Sequence, residues 1–244
     1  IELNQLEKLT GVAPEPRMQR FEDNAQLMSQ RDDLTIEHAE LLNAREQYEA
    51  AVAALMSRHF QPWEGGEGKV LTQYKRAQLG LARQDIAGDR PGQAIDRLKQ
   101  VLDPPHQLGE AWHLLVNLSD VWFLMGEAEA AAGRDAQARR WWERAANFKG
   151  DFVEMAVMNY STLTLWTALA KRQLGDEQDA QDLLQALLEH AQELEQTPAK
   201  IDYFATSLPT MLLFHDDLDR RQRVTALTMQ AQAKAGLGDL DSAK

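Results

Sequence analysis

The stretch GRDAQA, residues 133–138, recurs as GDEQDA at 175–180 and as GDLDSA at 238–243. In each copy a glycine stands five residues before an alanine. Two earlier alanines, Ala51 and Ala94, extend the series, and successive alanines from Ala51 to Ala180 are 42 to 44 residues apart. A fixed period of this size is typical of proteins that stack helix pairs.

Three positions depart from the frame. Glu46 replaces the glycine before Ala51, and Gly88 stands six residues before Ala94, which is one residue too many. Ala243 follows Ala180 by about one and a half periods. We attribute that extra length to an inserted helix over 202–214.

The frame predicts an all-α protein, namely a right-handed solenoid of antiparallel helix pairs with extended first helices. No stretch alternates apolar and polar residues for long, so we expect essentially no sheet. The first helices of the third and fourth units are predicted over 109–132 and 152–174. We interpret 1–244 as a single solenoid, with units at 1–30 (partial), 31–60, 66–105, 109–148, 152–197 and 218–244 (truncated), and the inserted helix before the last.

The third unit resembles a tetratricopeptide repeat. Its bulky, small, glycine and aromatic positions follow the order of that family, at Trp122, Met125, Gly126, Gly133, Ala138, Trp142 and Ala145. The first helices here are about two turns longer than the family's 34-residue period allows. HEAT repeats fit the period better, but they lack the turn seen at Gly175-Asp176 and Gly238-Asp239.

Three connecting segments carry a second resemblance: HFQPWEGGEGKVL at 59–71, LDPPHQLGEAWHLL at 102–115, and the stretch 198–223. Together they resemble the C-terminal helical region of large bacterial proteins whose N-terminal half is a β-rich domain, similar in kind to carbohydrate-processing sandwiches. The resemblance covers the chain from about Arg31 onward. It implies that the chain is part of a larger bacterial protein, and it identifies no catalytic residue.

Composition restricts the partners. The formal net charge is −12, from 38 acidic and 26 basic residues, which argues against nucleic acid and against anionic membrane surfaces. No apolar run approaches the length of a membrane span. The chain has no cysteine, which suits a reducing compartment, and we predict a cytoplasmic location. Both ends, Ile1 and Lys244, are expected to be cut from a longer protein.

The most distinctive loop is WEGGEG, residues 63–68. One interpretation is a contact loop, in which Trp63 stacks on a ligand or a neighbouring domain while Glu64 or Glu67 accepts hydrogen bonds. The other is a tight turn between helices with a packed indole, because paired glycines allow sharp backbone bends.

Acidic residues recur near the predicted starts of the long first helices. They stand 27 to 29 residues before the repeat alanines, at Glu67, Glu110, Asp151 and Asp216. Stacked units would place these carboxylates along one edge of the solenoid. They either cap helices, because an acid is favourable at a helix N-terminus, or form an edge that faces a partner.

We find no pattern for catalysis, a metal or a cofactor. Glu110 and His113 have the spacing of a di-iron helix motif, but such sites need several further carboxylates. The run Arg139-Arg140-Trp141-Trp142 fits packing better than nucleic-acid binding. The positions where a peptide-carboxylate clamp would need basic residues hold none: Ile36, Leu79, Phe123, Leu165 and Thr228.

These observations favour a non-catalytic interaction or scaffold module. Its expected partner is another protein or a covalently attached β-rich domain. The alternative is an accessory region of a carbohydrate-active enzyme, whose loops help to complete a sugar site formed with that domain. Whether the parent protein is an enzyme stays open.

Overall fold

The computed structural model describes residues 1–28, 30–61, 66–153, 156–199, 217–241 and 243. These residues form an all-α protein with twelve α-helices. They divide into two compact units, residues 1–113 and 114–244. The inserted helix expected at 202–214 lies outside the described residues, and the single solenoid over 1–244 stays a prediction.

The first unit contains seven of these helices and a short 3-10 turn at His106–Leu108. The helices are α1 (Glu2–Leu9), α2 (Pro14–Asp23), α3 (Ala25–Met28), α4 (Asp32–Ala44), α5 (Tyr48–Met56), α6 (Lys69–Ala87) and α7 (Pro91–Leu102). Each helix from α4 to α6 packs on the next one, α4 also contacts α6, and α2 and α3 pack against α4. Apolar side chains of α2, α4, α5 and α6 form one buried cluster, which also includes Phe60 and Leu108.

The second unit contains the other five helices and one strand pair. Its elements are α8 (Ser119–Ala131), α9 (Asp135–Ala146), β1 (Asp151–Val153), β2 (Ala156–Met158), α10 (Thr164–Leu174), α11 (Glu177–Gln196) and α12 (Leu218–Gly236). Each helix packs on the next one, and α10 additionally contacts both α8 and α12. This order of contacts is that of helix pairs packed in series.

A left-handed residue stands five positions before the repeat alanine at all five turns. The residues are Glu46 (φ 58°), Asp89 (φ 56°), Gly133 (φ 73°), Gly175 (φ 92°) and Gly238 (φ 88°). At the second turn Asp89 takes this position, whereas Gly88 has φ −88°. The prediction of an extra residue before Ala94 is therefore wrong. The left-handed residue stands five positions before the alanine in every turn.

The same hydrogen bond closes each of these turns. The residue after the left-handed one donates its N–H to the carbonyl oxygen five positions earlier, which satisfies a carbonyl at the helix end. The pairs are Gln47 with Leu42, Arg90 with Asp85, Arg134 with Glu129, Asp176 with Lys171, and Asp239 with Lys234. Ala51, Ala94, Ala138 and Ala180 follow these turns and are fully buried.

Close packing explains the small residues inside the pairs. A Cβ atom on Gly126 would lie 2.3 Å from the indole nitrogen of Trp142, and one on Gly80 would lie 2.5 Å from the Tyr48 ring. In both places an aromatic ring covers a glycine of another helix. The small and aromatic positions at Gly126 and Trp142 therefore meet as the repeat pattern predicts.

The first helix of the third repeat, α8, is shorter than predicted. The sequence predicts a helix from residue 109, but α8 begins at Ser119. Asn117 sets this start, because its Oδ1 accepts hydrogen bonds from the Ser119 N–H at 2.9 Å and from the Ser119 hydroxyl at 2.6 Å. Residues 109–112 are held by contacts elsewhere in the first unit, which are described below.

The predicted helix over 152–174 is wrong at its start. Asp151–Val153 and Ala156–Met158 form an antiparallel strand pair in which Asp151 lies opposite Met158, and α10 begins only at Thr164. The Ser161 N–H donates to Thr164 Oγ1 at 2.9 Å, and Ser161 Oγ accepts from the Leu163 N–H at 3.0 Å. These side-chain bonds satisfy the backbone just before the helix. The three-residue strands are a local exception to the expected absence of sheet.

Candidate functional site

The predicted acidic edge is described only in part. Trp63, Glu64 and Asp216 lie outside the described residues. Glu67 and Glu110 belong to the first unit and Asp151 to the second. The structure thus tests the local surroundings of three of the six predicted site residues.

The segment from residue 103 to 112, which we call the return segment, packs against the end of α5. The Phe60 N–H donates to the Gln107 carbonyl at 2.9 Å, and Gln107 Nε2 donates to the Met56 carbonyl at 2.6 Å. Leu108 is fully buried in the core of this unit. Gly109 has φ +76°, and a Cβ there would lie 2.4 Å from the Phe60 carbonyl oxygen. Both the left-handed backbone and the close approach require glycine at this position.

Glu110 reaches the N-terminus of α6 from this segment. Its Oε2 accepts a hydrogen bond from the Gly68 N–H at 2.8 Å, and Gly68 is the residue just before the helix. The positive end of the helix dipole favours a carboxylate there. Glu110 therefore caps a helix, as one interpretation of the sequence predicts. That helix, however, is the first helix of the preceding repeat, whereas the sequence predicted the helix of its own repeat.

The surroundings of Glu110, including the carboxylate of Glu67, shift the pKa of Glu110. Burial raises the pKa of Glu110 above its usual range, and the negative charge of Glu67 raises it further. The hydrogen bond from Gly68 opposes both effects. Glu67 itself is exposed. The pair concentrates negative charge at the start of α6, and the surface here suits positively charged groups.

Contacts also hold the chain just before residues 62–65. Arg58 pairs with Asp32 at 2.5 Å, and Asp32 Oδ2 accepts from the Gln61 N–H at 3.0 Å. Asp32 is the first residue of α4, so α4 and the return segment hold the chain before and after residues 62–65. Sequence reasoning did not single out Asp32 in this role.

Trp112 is a further residue of this edge that sequence reasoning missed. Its indole nitrogen donates to the Val101 carbonyl at 2.6 Å, and the Lys75 ammonium lies 6.0 Å from its ring centroid. The ring packs partly buried against the core of the first unit. An isolated tryptophan after the double proline of the segment 102–115 is the signal that was available in the sequence.

The remaining acid, Asp151, has a different setting. It is the first residue of β1 and is 8% exposed. The prediction that it lies near the start of a long helix is wrong. The prediction that Glu67, Glu110 and Asp151 all stand at the starts of helices is therefore wrong, because Glu110 and Asp151 lie in non-helical segments.

The structure also bears on Glu110 and His113, which have the spacing of a di-iron helix motif. Glu110 and His113 are not on a helix, so the three-residue spacing does not place them on one helical face. Within the described ranges there is no group of three or more His, Asp or Glu side chains arranged to hold a metal ion.

Aromatic residues of the second unit serve packing. The Arg144 guanidinium lies 4.5 Å from the Trp122 ring centroid and 5.9 Å from that of Trp141. Phe123, at one of the peptide-clamp positions, is 9% exposed and lies 5.6 Å from the Trp166 ring. The clamp positions Ile36 and Leu79 are buried as well.

Comparison with known proteins gives no assignment, since no family model matches the chain and no solved structure matches it. The tetratricopeptide resemblance therefore depends on the residues and turns described above. Among the helices of the described ranges, none combines the length and apolar character that crossing a membrane requires.

Proposed function

We propose that the chain is a non-catalytic interaction module of tetratricopeptide type, built as a right-handed solenoid. The observation that carries the proposal is the uniform turn: a left-handed residue, the same closing hydrogen bond, and an alanine five residues on. Together with helix pairs that contact in series, this turn supports a repeat architecture. Such repeats are typically used as extended binding surfaces.

We further propose that the start of α6 is the docking edge. Glu67 is exposed there, and Glu110 is fixed by its hydrogen bond to Gly68. Two neighbouring carboxylates attract a basic surface, and complementary charge raises the rate and the specificity of association. The net charge of −12 favours a basic partner in the same way. The partner is a protein or a covalently attached domain, and we place the module in the cytoplasm.

Site-specific photocrosslinking in the native host tests this edge. A photoreactive amino acid replaces Glu67 in one variant and Lys99 in a matched control. Lys99 is an exposed residue of α7 whose side chain is 64% exposed. We expect position 67 to trap one defined polypeptide with a basic contact surface, and position 99 to trap none. Equal products from both positions, or none from position 67, would contradict the proposal.

A charge reversal sharpens the result. Glu67→Lys should abolish the crosslink from a photoreactive residue at a neighbouring exposed position such as Lys69, because it repels a basic partner. The equivalent reversal at an exposed acid away from the edge, Asp96→Lys, should leave it intact. Titration with oligosaccharides distinguishes the alternative function, since saturable heat from the chain would favour a sugar-binding role.

A further inference from the structure

The first unit contains a cavity of about 230 Å³ between α1, α2, α3 and α4. Its walls are largely apolar, and the side chains that form them include Leu3, Phe21, Leu27, Met28 and Leu34. The cavity lies within one compact unit and apart from the acidic edge at the start of α6. Nothing in the proposed interaction function uses it.

Two arginines, Arg17 and Arg20, belong to the lining of this largely apolar cavity, and Arg17 is the buried one. Arg17 is only 7% exposed, and its Nε donates to Asn4 Oδ1 at 2.9 Å. Asn4 in turn donates from Nδ2 to Glu37 Oε2 at 2.7 Å. These two hydrogen bonds fix the orientation of the guanidinium. Asn4 stands between the guanidinium and the carboxylate of Glu37.

The remaining donors of Arg17 are unused. A guanidinium has five N–H groups, and within the described residues the Nη groups of Arg17 make no hydrogen bond. These Nη atoms are not among the fully buried polar atoms that lack a partner, so solvent or a ligand can reach them. Arg20, which also lines the cavity, pairs with Glu7. Arg17 is therefore the buried arginine of the lining, and both of its Nη groups are available to a ligand.

We propose that this cavity binds an unbranched alkyl carboxylate. The carboxylate accepts two parallel N–H bonds from the Arg17 fork, a geometry that guanidinium and carboxylate groups match well. The alkyl tail lies among the leucine, phenylalanine and methionine side chains. Because the cavity is smaller than the roughly 300–1,000 Å³ of pockets for drug-sized ligands, a tail of roughly eight carbons is expected.

Calorimetric titration of the 244-residue chain with sodium octanoate, below its micellar concentration, tests the proposal. 1-Octanol is the neutral comparison with the same tail. We expect octanoate to bind at least about tenfold more tightly than octanol, since only the carboxylate satisfies Arg17. Affinity should rise about fourfold per added methylene from hexanoate to octanoate.

Two pairs of variants separate charge from cavity volume. Arg17→Gln retains a donor to Asn4 and should weaken octanoate binding at least about tenfold while leaving octanol binding unchanged; Arg17→Lys keeps the charge and should retain the preference for octanoate. Leu27→Trp fills the cavity and should abolish binding. The control Leu9→Trp alters a leucine of similar exposure on α1, 43% against 50%, which is outside the cavity lining and should bind normally.

The outcomes that overturn the proposal are equal affinities for octanoate and octanol, no effect of Arg17→Gln, or unchanged binding by Leu27→Trp. Absence of saturable octanoate binding to the parent chain overturns it as well. Circular dichroism melts check that each variant is folded. If Arg17→Gln unfolds, the Arg17→Lys and Leu27→Trp variants with their control still decide between binding and no binding.

Discussion

The turn between α6 and α7 and the turn between α10 and α11 share one backbone but carry opposite charges. In the first, Asp85 stands at the helix end and Arg90 follows the left-handed residue; in the second, Lys171 and Asp176 take the same two positions. The closing hydrogen bond and the buried alanine are the same in both. The repeat is therefore defined by backbone conformation and small residues, while the charges that surround it are exchangeable.

The surroundings of these charges differ sharply. Asp85 is 4% exposed and is held by Arg90 and Arg97, with nitrogen–oxygen distances of 2.8 Å and 2.7 Å. Lys171 instead pairs at 3.3 Å with Asp179, whose side chain is 68% exposed. The first turn contains a buried carboxylate held by two arginines that reach solvent, whereas the second has a pair whose carboxylate is exposed. Removing one partner of a buried ion pair lowers the free energy of unfolding much more than removing one partner of an exposed pair.

The largest expected effect comes from removing the buried acid. Asp85→Ala should lower the free energy of unfolding by about 2–3 kcal/mol, less than for a fully buried pair because both arginines reach solvent. Lys171→Ala at the equivalent turn position should cost less than about 1 kcal/mol. Urea denaturation of both variants makes the comparison. Equal losses would show that burial does not distinguish the two turns.

A second substitution tests the left-handed position itself, at the turn between α8 and α9. Gly133→Ala should destabilise by about 1–2 kcal/mol, because a Cβ is unfavourable in the left-handed region. The new methyl group meets no other atom within 4 Å, so backbone strain is the only cause. Gly92→Ala is the control: it also has open space but lies within α7, and it should be neutral or stabilising. A neutral Gly133→Ala would contradict the role given to this position.

The reverse substitution should stabilise. Glu46 and Asp89 occupy the left-handed position without being glycine. Glu46→Gly should raise the free energy of unfolding by roughly 0.5–1 kcal/mol, since relief of strain exceeds the entropy that glycine adds to the unfolded chain. Thermal melting monitored by circular dichroism measures the change. A loss of stability on Glu46→Gly would mean that its side chain makes contacts worth more than the strain.

The contact of Glu110 with the start of α6, inside the first compact unit, should respond to pH. Glu110→Ala leaves the Gly68 N–H without its partner and should cost about 1 kcal/mol, whereas Glu110→Gln keeps an acceptor. Because the pKa of Glu110 is raised in the folded protein, the native state binds the extra proton. The stability of the parent chain should therefore fall, relative to Glu110→Gln, as pH rises from the ordinary carboxyl range through the raised pKa.

Denaturation of the parent and Glu110→Gln at a series of pH values measures this difference. Glu67→Gln is a useful control, because removing its charge should lower the pKa of Glu110 and reduce the slope without breaking the cap. A stability difference that does not change with pH would contradict the assignment. This is the smallest of the expected effects, since Glu110 is only half-buried.

The turns were predictable and the connections were not. A short pattern of glycine and alanine reports local backbone conformation, so the five turns follow from the sequence and only Asp89 had to be corrected. Glu110 caps a helix that begins 41 residues earlier in the chain, and Asn117 rather than an acidic residue sets the start of α8. Such pairings depend on which segments come together in space.

The sequence by itself determined the helix pairs, because conformational preferences of glycine, alanine and aromatic residues act within a few positions of the chain. Only the tertiary structure decided where the first helices begin, that the return segment covers α5, and that Arg17 lines an apolar cavity. These features arise from contacts between residues distant in sequence, and their energies depend on burial, which no local pattern encodes.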